Sequence, residues 1–372
     1  MKRWRRLLLF VLAAVPFATA ENHLETWRVV ADRLITTPPE SYPWNWGEGV
    51  QLIGLMKVHE RTAEAPYADY VERWLSRYAS EDLPRFLRDG GGEAKVRPGY
   101  CGLWSPATAA ALLYESGKKA GHLRMAVQVT GYIERVAERS PEYALGHWQG
   151  SHQLWVDTLY MACPLLSTVG RLQQRPRLIE DAASQIIVYT RYLQDRRRGL
   201  FFHMWDWDTG QRTADLWGRG NGWVLMSIAD TIEAMQKSDA HYATLSSIAA
   251  RMARGLVEFQ TADGLWRTVL DDGTSYPEVS ASAMIAYGLL KLVRLGVLPV
   301  DFRDPAQAAW KTINRQWVKD GVVTGVSAGT EPKDRGYYRA IPLGRQTWGT
   351  GAYLLAGSEV DRAPKPSPLL RR

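Results

Sequence analysis

From about residue 24 onward, apolar residues recur at spacings of three and four, and clusters of Gly, Pro and Asp interrupt them. That period predicts amphipathic helices, and the interruptions mark their ends. The pattern predicts twelve helices, near residues 24–35, 47–61, 67–79, 105–116, 121–138, 153–169, 177–194, 221–237, 240–260, 279–295, 305–317 and 347–357. Strand-like alternation is nearly absent outside short pieces such as residues 321–326. The helices alternate in character. Odd-numbered ones carry charge along one face, as in Tyr70-Val71-Glu72-Arg73-Trp74-Leu75. Even-numbered ones are richer in small and apolar residues, as in Ala107-Thr108-Ala109-Ala110-Ala111 and Ser280-Ala281-Ser282-Ala283-Met284.

A weak repeat accompanies the alternation. Gly102-Leu103-Trp104, Gly199-Leu200-Phe201, Asp263-Gly264-Leu265-Trp266 and Asp320-Gly321-Val322 each fall in a connection before an even-numbered helix. Helical hairpins that cannot bury their faces alone stack on neighbours. The expected fold is therefore all-α, an (α/α)6 barrel of six helical hairpins with the even-numbered helices inside. In such a ring every inner N-terminus faces one rim. The polar and aromatic outliers gather there: Trp46 and Glu48, Trp104 and Ser105, Trp155 and Asp157, Arg219 and Asn221, Glu278, and Gln346 with Trp348. Six helix N-termini at one rim favour an anionic ligand.

Asp157 stands alone in the apolar run Leu154-Trp155-Val156-Asp157-Thr158-Leu159-Tyr160-Met161. A buried carboxylate must be paired, solvated by a pocket, or held protonated. A helical carboxylate of the last kind is a candidate general acid; the structural alternative is a buried Asp satisfied by backbone amides or an Arg. In Trp217-Gly218-Arg219-Gly220-Asn221-Gly222-Trp223, glycines surround an Arg whose planar fork matches a carboxylate. The structural alternative is a turn with Asn221 as cap and Arg219 in a salt bridge. His203 lies in an aromatic loop, Leu200 to Asp206, just before that turn. Sixteen Trp and 17 Tyr, many beside polar residues, suit stacking on sugar rings as well as a large core.

Residues 1–20 read as a secretory signal: a basic head, an apolar stretch from Leu7 to Phe17, and Ala18-Thr19-Ala20 for cleavage. The expected product is an exported, periplasmic or extracellular bacterial protein. It would have one domain over 21–360, a disordered tail over 361–372 and no membrane span. Removing residues 1–20 takes away four positive charges and no negative ones, so the balance falls from +7 to +3. That is too little for a nucleic-acid footprint. No Cys/His cluster has zinc spacing, so neither metal nor cofactor is expected. Cys101 and Cys163 either pair or remain buried thiols.

Taken in order, the motifs at 155–161, 217–223 and 278–284 resemble those of the unsaturated glycuronyl hydrolases, glycoside hydrolase families 105 and 88. The likeness is greatest to the unsaturated rhamnogalacturonyl hydrolases, over about residues 25–357. The resemblance implies the same barrel and hydration of a Δ4,5-unsaturated uronic acid at the non-reducing end of a pectin fragment. It implies Asp157 as acid/base, with its pKa raised by an apolar wall of Trp155, Tyr160 and Met161. Trp155, Met161, His203, Trp217, Arg219 and Trp223 would contact substrate, and Trp46 joins them on the rim. One departure stands out. The family commonly has a second acid near the start of the fourth helix, and Gly102 to Pro106 supplies none. Glu48 and Glu278 are the rim carboxylates that would compensate. The other readings are a conventional inverting glycosidase using Asp157 with one of these, and a non-catalytic sugar-binding relative.

Overall fold

The computed structural model describes residues 25–91, 96–117 and 119–362. The expected signal at 1–20 and the tail beyond Arg362 lie outside the described residues. All twelve expected helices are present. The inner set is α2 (Trp46–Thr62), α5 (Pro106–Gly117), α7 (Asp157–Leu172), α9 (Gly218–Ala234), α11 (Val279–Arg294) and α14 (Thr347–Arg362). The outer set is α1 (Thr26–Ile35), α3 (Ala65–Ser76), α6 (Ala120–Arg135), α8 (Pro176–Leu193), α10 (Tyr242–Glu258) and α12 (Arg303–Gln316). Each inner helix packs on the next, and α14 returns to α2, so the ring closes into an (α/α)6 toroid. Two short helices, α4 (Leu83–Arg88) and α13 (Arg335–Ala340), were not expected.

The division of labour follows from composition. Inner α11 is buried from Val279 to Leu292, whereas outer α12 buries one stripe of Ala306, Ala309, Trp310 and Ile313. Small residues permit the inner contacts. A Cβ on Gly351 of α14 would lie 2.4 Å from the Val50 carbonyl of α2, and one on Gly49 would lie 2.4 Å from Ser105 Oγ. The repeated connections also have a backbone reason. Gly199 and Gly264 have φ of 74° and 89°, where an L side chain is strained.

Three two-stranded ladders interrupt the helical pattern: β1 (Gln153–Trp155) with β2 (Met204–Asp206), β3 (Val318–Lys319) with β4 (Val322–Val323), and β5 (Val326–Ser327) with β6 (Leu343–Gly344). The first corrects an expectation. Residues 153–155 form a strand because they pair with a segment about fifty residues away. The helix therefore begins at Asp157. At its other end α14 runs to Arg362, two residues into the expected tail, where Asp361 bonds Arg61 at 2.9 Å.

The C-terminal ends of the inner helices are tied by charge. Buried Lys291 lies 2.6 Å from Asp230 and 2.7 Å from Glu233, and Arg294 bridges Glu233 and Glu359. Both cysteines are buried free thiols, so the pairing alternative is not realised.

Candidate active site

A cavity of about 670 Å³ opens at the opposite rim, where inner helices begin. Asp157, the first residue of α7, lines it, as do Trp46, Trp155, Met161 and Arg219. The β1–β2 ladder explains the local geometry. Trp155 pairs with Met204, and the Val156 amide donates to the His203 carbonyl at 3.0 Å. Asp157 thus leaves one strand beside the point where His203 enters the other. His203 Nε2 lies 3.2 Å from Asp157 Oδ2; the Asp157 side chain is 19% exposed and that of His203 is 0% exposed. The other imidazole nitrogen, Nδ1, is 2.8 Å from Tyr338 Oη on α13. Burial pushes the Tyr338 phenol well up, so it keeps its proton and is able to donate to Nδ1. Because Nε2 faces the Asp157 carboxylate, the neutral tautomer that suits both neighbours carries its proton on Nε2.

His203, Trp217 and Trp223 are not on the cavity wall. All three are fully buried. Trp217 lies against His203 at 4.2 Å between ring centres, and Trp223 stacks on Tyr160 at 5.0 Å. They back the wall rather than form it. The structural reason lies in the Trp217–Trp223 turn, where each glycine serves packing. A Cβ at Gly218 would lie 2.3 Å from the Arg267 carbonyl, at Gly220 2.6 Å from the Trp217 ring, and at Gly222 2.7 Å from Met284. Asn221 is not a cap. It bonds Phe201 at both backbone groups, at 2.8 and 2.9 Å, and so fixes the segment carrying His203.

Arg219 does reach the cavity, but its fork is occupied. Nη1 donates to Ser327 O at 2.8 Å and Oγ at 2.6 Å; Nη2 donates to Ala328 O at 2.8 Å and Thr330 Oγ1 at 2.7 Å. The guanidinium holds the segment after β5 at the mouth, where Gly329 and Thr330 line the cavity. Glu278 is sealed. It is 0% exposed, caps α11 by accepting from the Ser280 and Ala281 amides, and accepts from the Ser327 amide at 2.8 Å. Glu48 is half-buried, bonds Thr347 at 3.2 Å, and has its pKa raised by burial.

The charge state of Asp157 differs from the expected one. Burial raises its pKa, but the close imidazole of His203 and the Arg219 cation outweigh that and hold it below the usual carboxylate value. The position at the start of α7 acts in the same direction.

Several wall residues carried no flag in the sequence: Asn45, Arg97, Tyr100, His147, Trp148, Lys333 and Tyr337. His147-Trp148 carries the same signal as His203, a His beside aromatic residues. The His147 ring stacks on Trp155 at 4.1 Å. Its Nδ1 is 2.8 Å from Thr158 Oγ1 and 3.2 Å from Cys101 Sγ. Burial pushes its pKa down to about 3, so it is neutral near pH 7. The acid-free stretch Gly102 to Pro106 is buried throughout, with the Tyr100 ring closed over Gly102.

The Glycosyl Hydrolase Family 88 model matches residues 23–363. The chain belongs to that family. It is a glycosidase of the group that its motifs resemble. It is 28% identical over 346 residues to the unsaturated rhamnogalacturonyl hydrolase YesR of Bacillus subtilis, covering 90% of this chain and 95% of the relative. It is 27% identical over 348 residues to an unsaturated 3S-rhamnoglycuronyl hydrolase of Formosa agariphila, covering 86% and 84%. A crystal structure of a possible GH105 member from Klebsiella pneumoniae superposes with a TM-score of 0.82 at 26% identity, covering 97% of this chain and 99% of that one. No helix among the described residues is long and apolar enough to cross a membrane.

Proposed function

We propose that this family 88 enzyme hydrates the Δ4,5 double bond of an unsaturated uronic acid at the non-reducing end of a rhamnogalacturonan-type oligosaccharide, with Asp157 as acid and base. The relatives act on such sugars by name, and the cavity has the required parts. The single observation that carries the reading is Asp157, reachable from a cavity walled by Trp46 and Trp155 and backed by His203 and Tyr338.

The substrate is a vinyl ether. A proton delivered to C4 leaves an oxocarbenium-like centre shared by C5 and the ring oxygen. Water attacks C5 and gives its proton to the Asp157 carboxylate. The hemiketal then opens and releases the next sugar. One carboxyl group serves both steps, unlike the pair used for attack at an anomeric carbon. The cavity offers no second suitable carboxylate among the described residues. Its other acid, Glu331, is 60% exposed on a loop and faces Lys333 at 3.7 Å.

Asp157 rests ionised against the His203 N–H. An arriving sugar carboxylate is a like charge, which raises the Asp157 pKa. The proton that Asp157 then takes up from solvent passes to C4, and the His203 N–H still faces the carboxyl.

The test is loss of the ultraviolet absorbance of the conjugated double bond, using disaccharides made by several polysaccharide lyases. Asp157→Asn is expected to cost about a thousandfold in kcat, within the usual range for a general acid. Undiminished turnover by that variant would exclude the assigned role. Inverted hydrolysis of saturated oligosaccharides would replace the reaction itself.

A further inference from the structure

A second groove lies on the same rim, outside the ring. Two adjoining cavities of about 690 and 310 Å³ share Arg33, Val322 and Arg345. They run between the end of α1, the β3–β4 hairpin and the start of α14. Three exposed cations line them: Arg33 on α1, Lys319 on β3 and Arg345 in the connection before α14. No ion pair among the described residues engages any of the three. Arg28, on the same helix as Arg33, by contrast faces Glu64. The groove contains one carboxylate, Asp320. Between the cations stand the neutral polar groups Thr37, Gln346 and Thr350, and the half-buried rings of Tyr42 and Trp317.

We infer that this groove binds an anionic oligosaccharide, a chain carrying one carboxylate per sugar, at a site separate from the catalytic cavity. The inference rests on the proposed function for the class of polymer. Isolated cations interspersed with hydroxyl and amide groups suit spaced carboxylates on a polyhydroxylated chain. A nucleic acid asks for a denser basic surface than a protein at +3 without residues 1–20 provides. The rings supply flat apolar faces for sugar C–H groups. The wall between groove and active cavity is thin. Trp46 lines the cavity and stacks on Trp348 at 4.3 Å, while the neighbouring Thr347 lines the groove. A polymer held here raises the local supply of chain ends beside the active cavity.

The experiment compares the wild-type chain with the triple variant Arg33→Ser, Lys319→Ser, Arg345→Ser. Calorimetric titration with saturated oligogalacturonate, which has no double bond, reads the groove. Turnover of an unsaturated disaccharide reads the catalytic cavity. The expected result is a loss of about tenfold in oligogalacturonate affinity, the scale of three exposed charge contacts. A shallower salt dependence should accompany it, with disaccharide turnover unchanged within about twofold. Unchanged affinity in the triple variant overturns the inference, as does equal wild-type affinity for a neutral chain of the same length. Tighter binding of linear polyphosphate than of oligogalacturonate overturns the ligand class. If no unsaturated disaccharide is turned over but the triple variant still loses oligogalacturonate, the groove stands and the proposed reaction falls.

Discussion

Replacing Glu278 with alanine separates a structural carboxylate from a catalytic one. Its two oxygens accept from Ser280 N at 3.2 Å, Ala281 N at 2.6 Å and Ser327 N at 2.8 Å, and from Ser280 Oγ at 2.8 Å. All of these groups are buried. Losing the cap at the start of α11 costs about 1 kcal/mol. Leaving the Ser327 amide without an acceptor costs about 1–3 kcal/mol more. The Arg219 cation, whose charge Glu278 helps to balance, also loses a partner. The total is about 4 kcal/mol, in line with breaking a buried charge pair from one side. A glutamine keeps one acceptor oxygen and is expected to lose about 1–2 kcal/mol.

The assay is urea unfolding near neutral pH, paired with kcat measured well below the unfolding transition. For a slope of about 4 kcal/mol per molar, the alanine variant's midpoint falls by about 1 M. Its kcat stays within about tenfold of wild type, because the carboxylate is shut away from the cavity. A kcat reduced about a thousandfold at an unchanged urea midpoint would refute this reasoning. It would bring back the two-carboxylate glycosidase with Asp157 and Glu278 as the pair.

Thr158→Val removes the hydroxyl that reaches His147 Nδ1; KM is expected to rise several-fold with a smaller change in kcat, read from steady-state kinetics, as the imidazole loses its fixed tautomer. Gly351→Ala forces a Cβ against the Val50 carbonyl at the α2–α14 closure and is expected to cost about 2 kcal/mol by denaturation, the usual scale of overpacking. Asp157 is held below its ordinary pKa, so in the proposed mechanism it takes up a proton at neutral pH only beside the charge of the substrate. A methyl-esterified unsaturated uronide lacks that charge, so its rate optimum is expected at lower pH than that of the free acid; coincident pH profiles would exclude the coupling.

Much of the architecture was written in the spacing of apolar residues. The 3.6-residue period located all twelve barrel helices, and the run of small residues at Ala107 to Ala111 marked an inner one. The period failed at residues 153–155. Leu154 and Trp155 continue an apolar run, and only the distant partner strand makes them β. The cavity mouth was equally hidden. Residues 327–337 have no period, and their placement comes from Arg219, Glu278 and the short helix α13. Chemistry was legible as residue type but not as depth. Asp157, Trp155 and Met161 face the cavity, while His203, Trp217 and Trp223 share the same motifs yet stand behind it. A tryptophan that touches a sugar and one that supports its neighbour look alike in a sequence.

Motif residues and loop residues meet through a short series of constraints. Closing the ring places the start of α11 beside the start of α9. Glu278 fixes Ser327, and Ser327 with Thr330 fixes Arg219. Asn221, two residues further along α9, fixes Phe201 and hence His203. The β1–β2 ladder then sets His203 against Asp157, and α13 brings Tyr338 to its far nitrogen. Apart from β1, which directly precedes Asp157, the members of this series are distant in sequence from the residue they ultimately orient. A change at Glu278 therefore reaches Arg219 and the mouth segment, whereas a change at Asn221 reaches His203 and Asp157 through the backbone of the strand. Damage to the first loosens the mouth of the cavity, whereas damage to the second moves His203 against Asp157 itself.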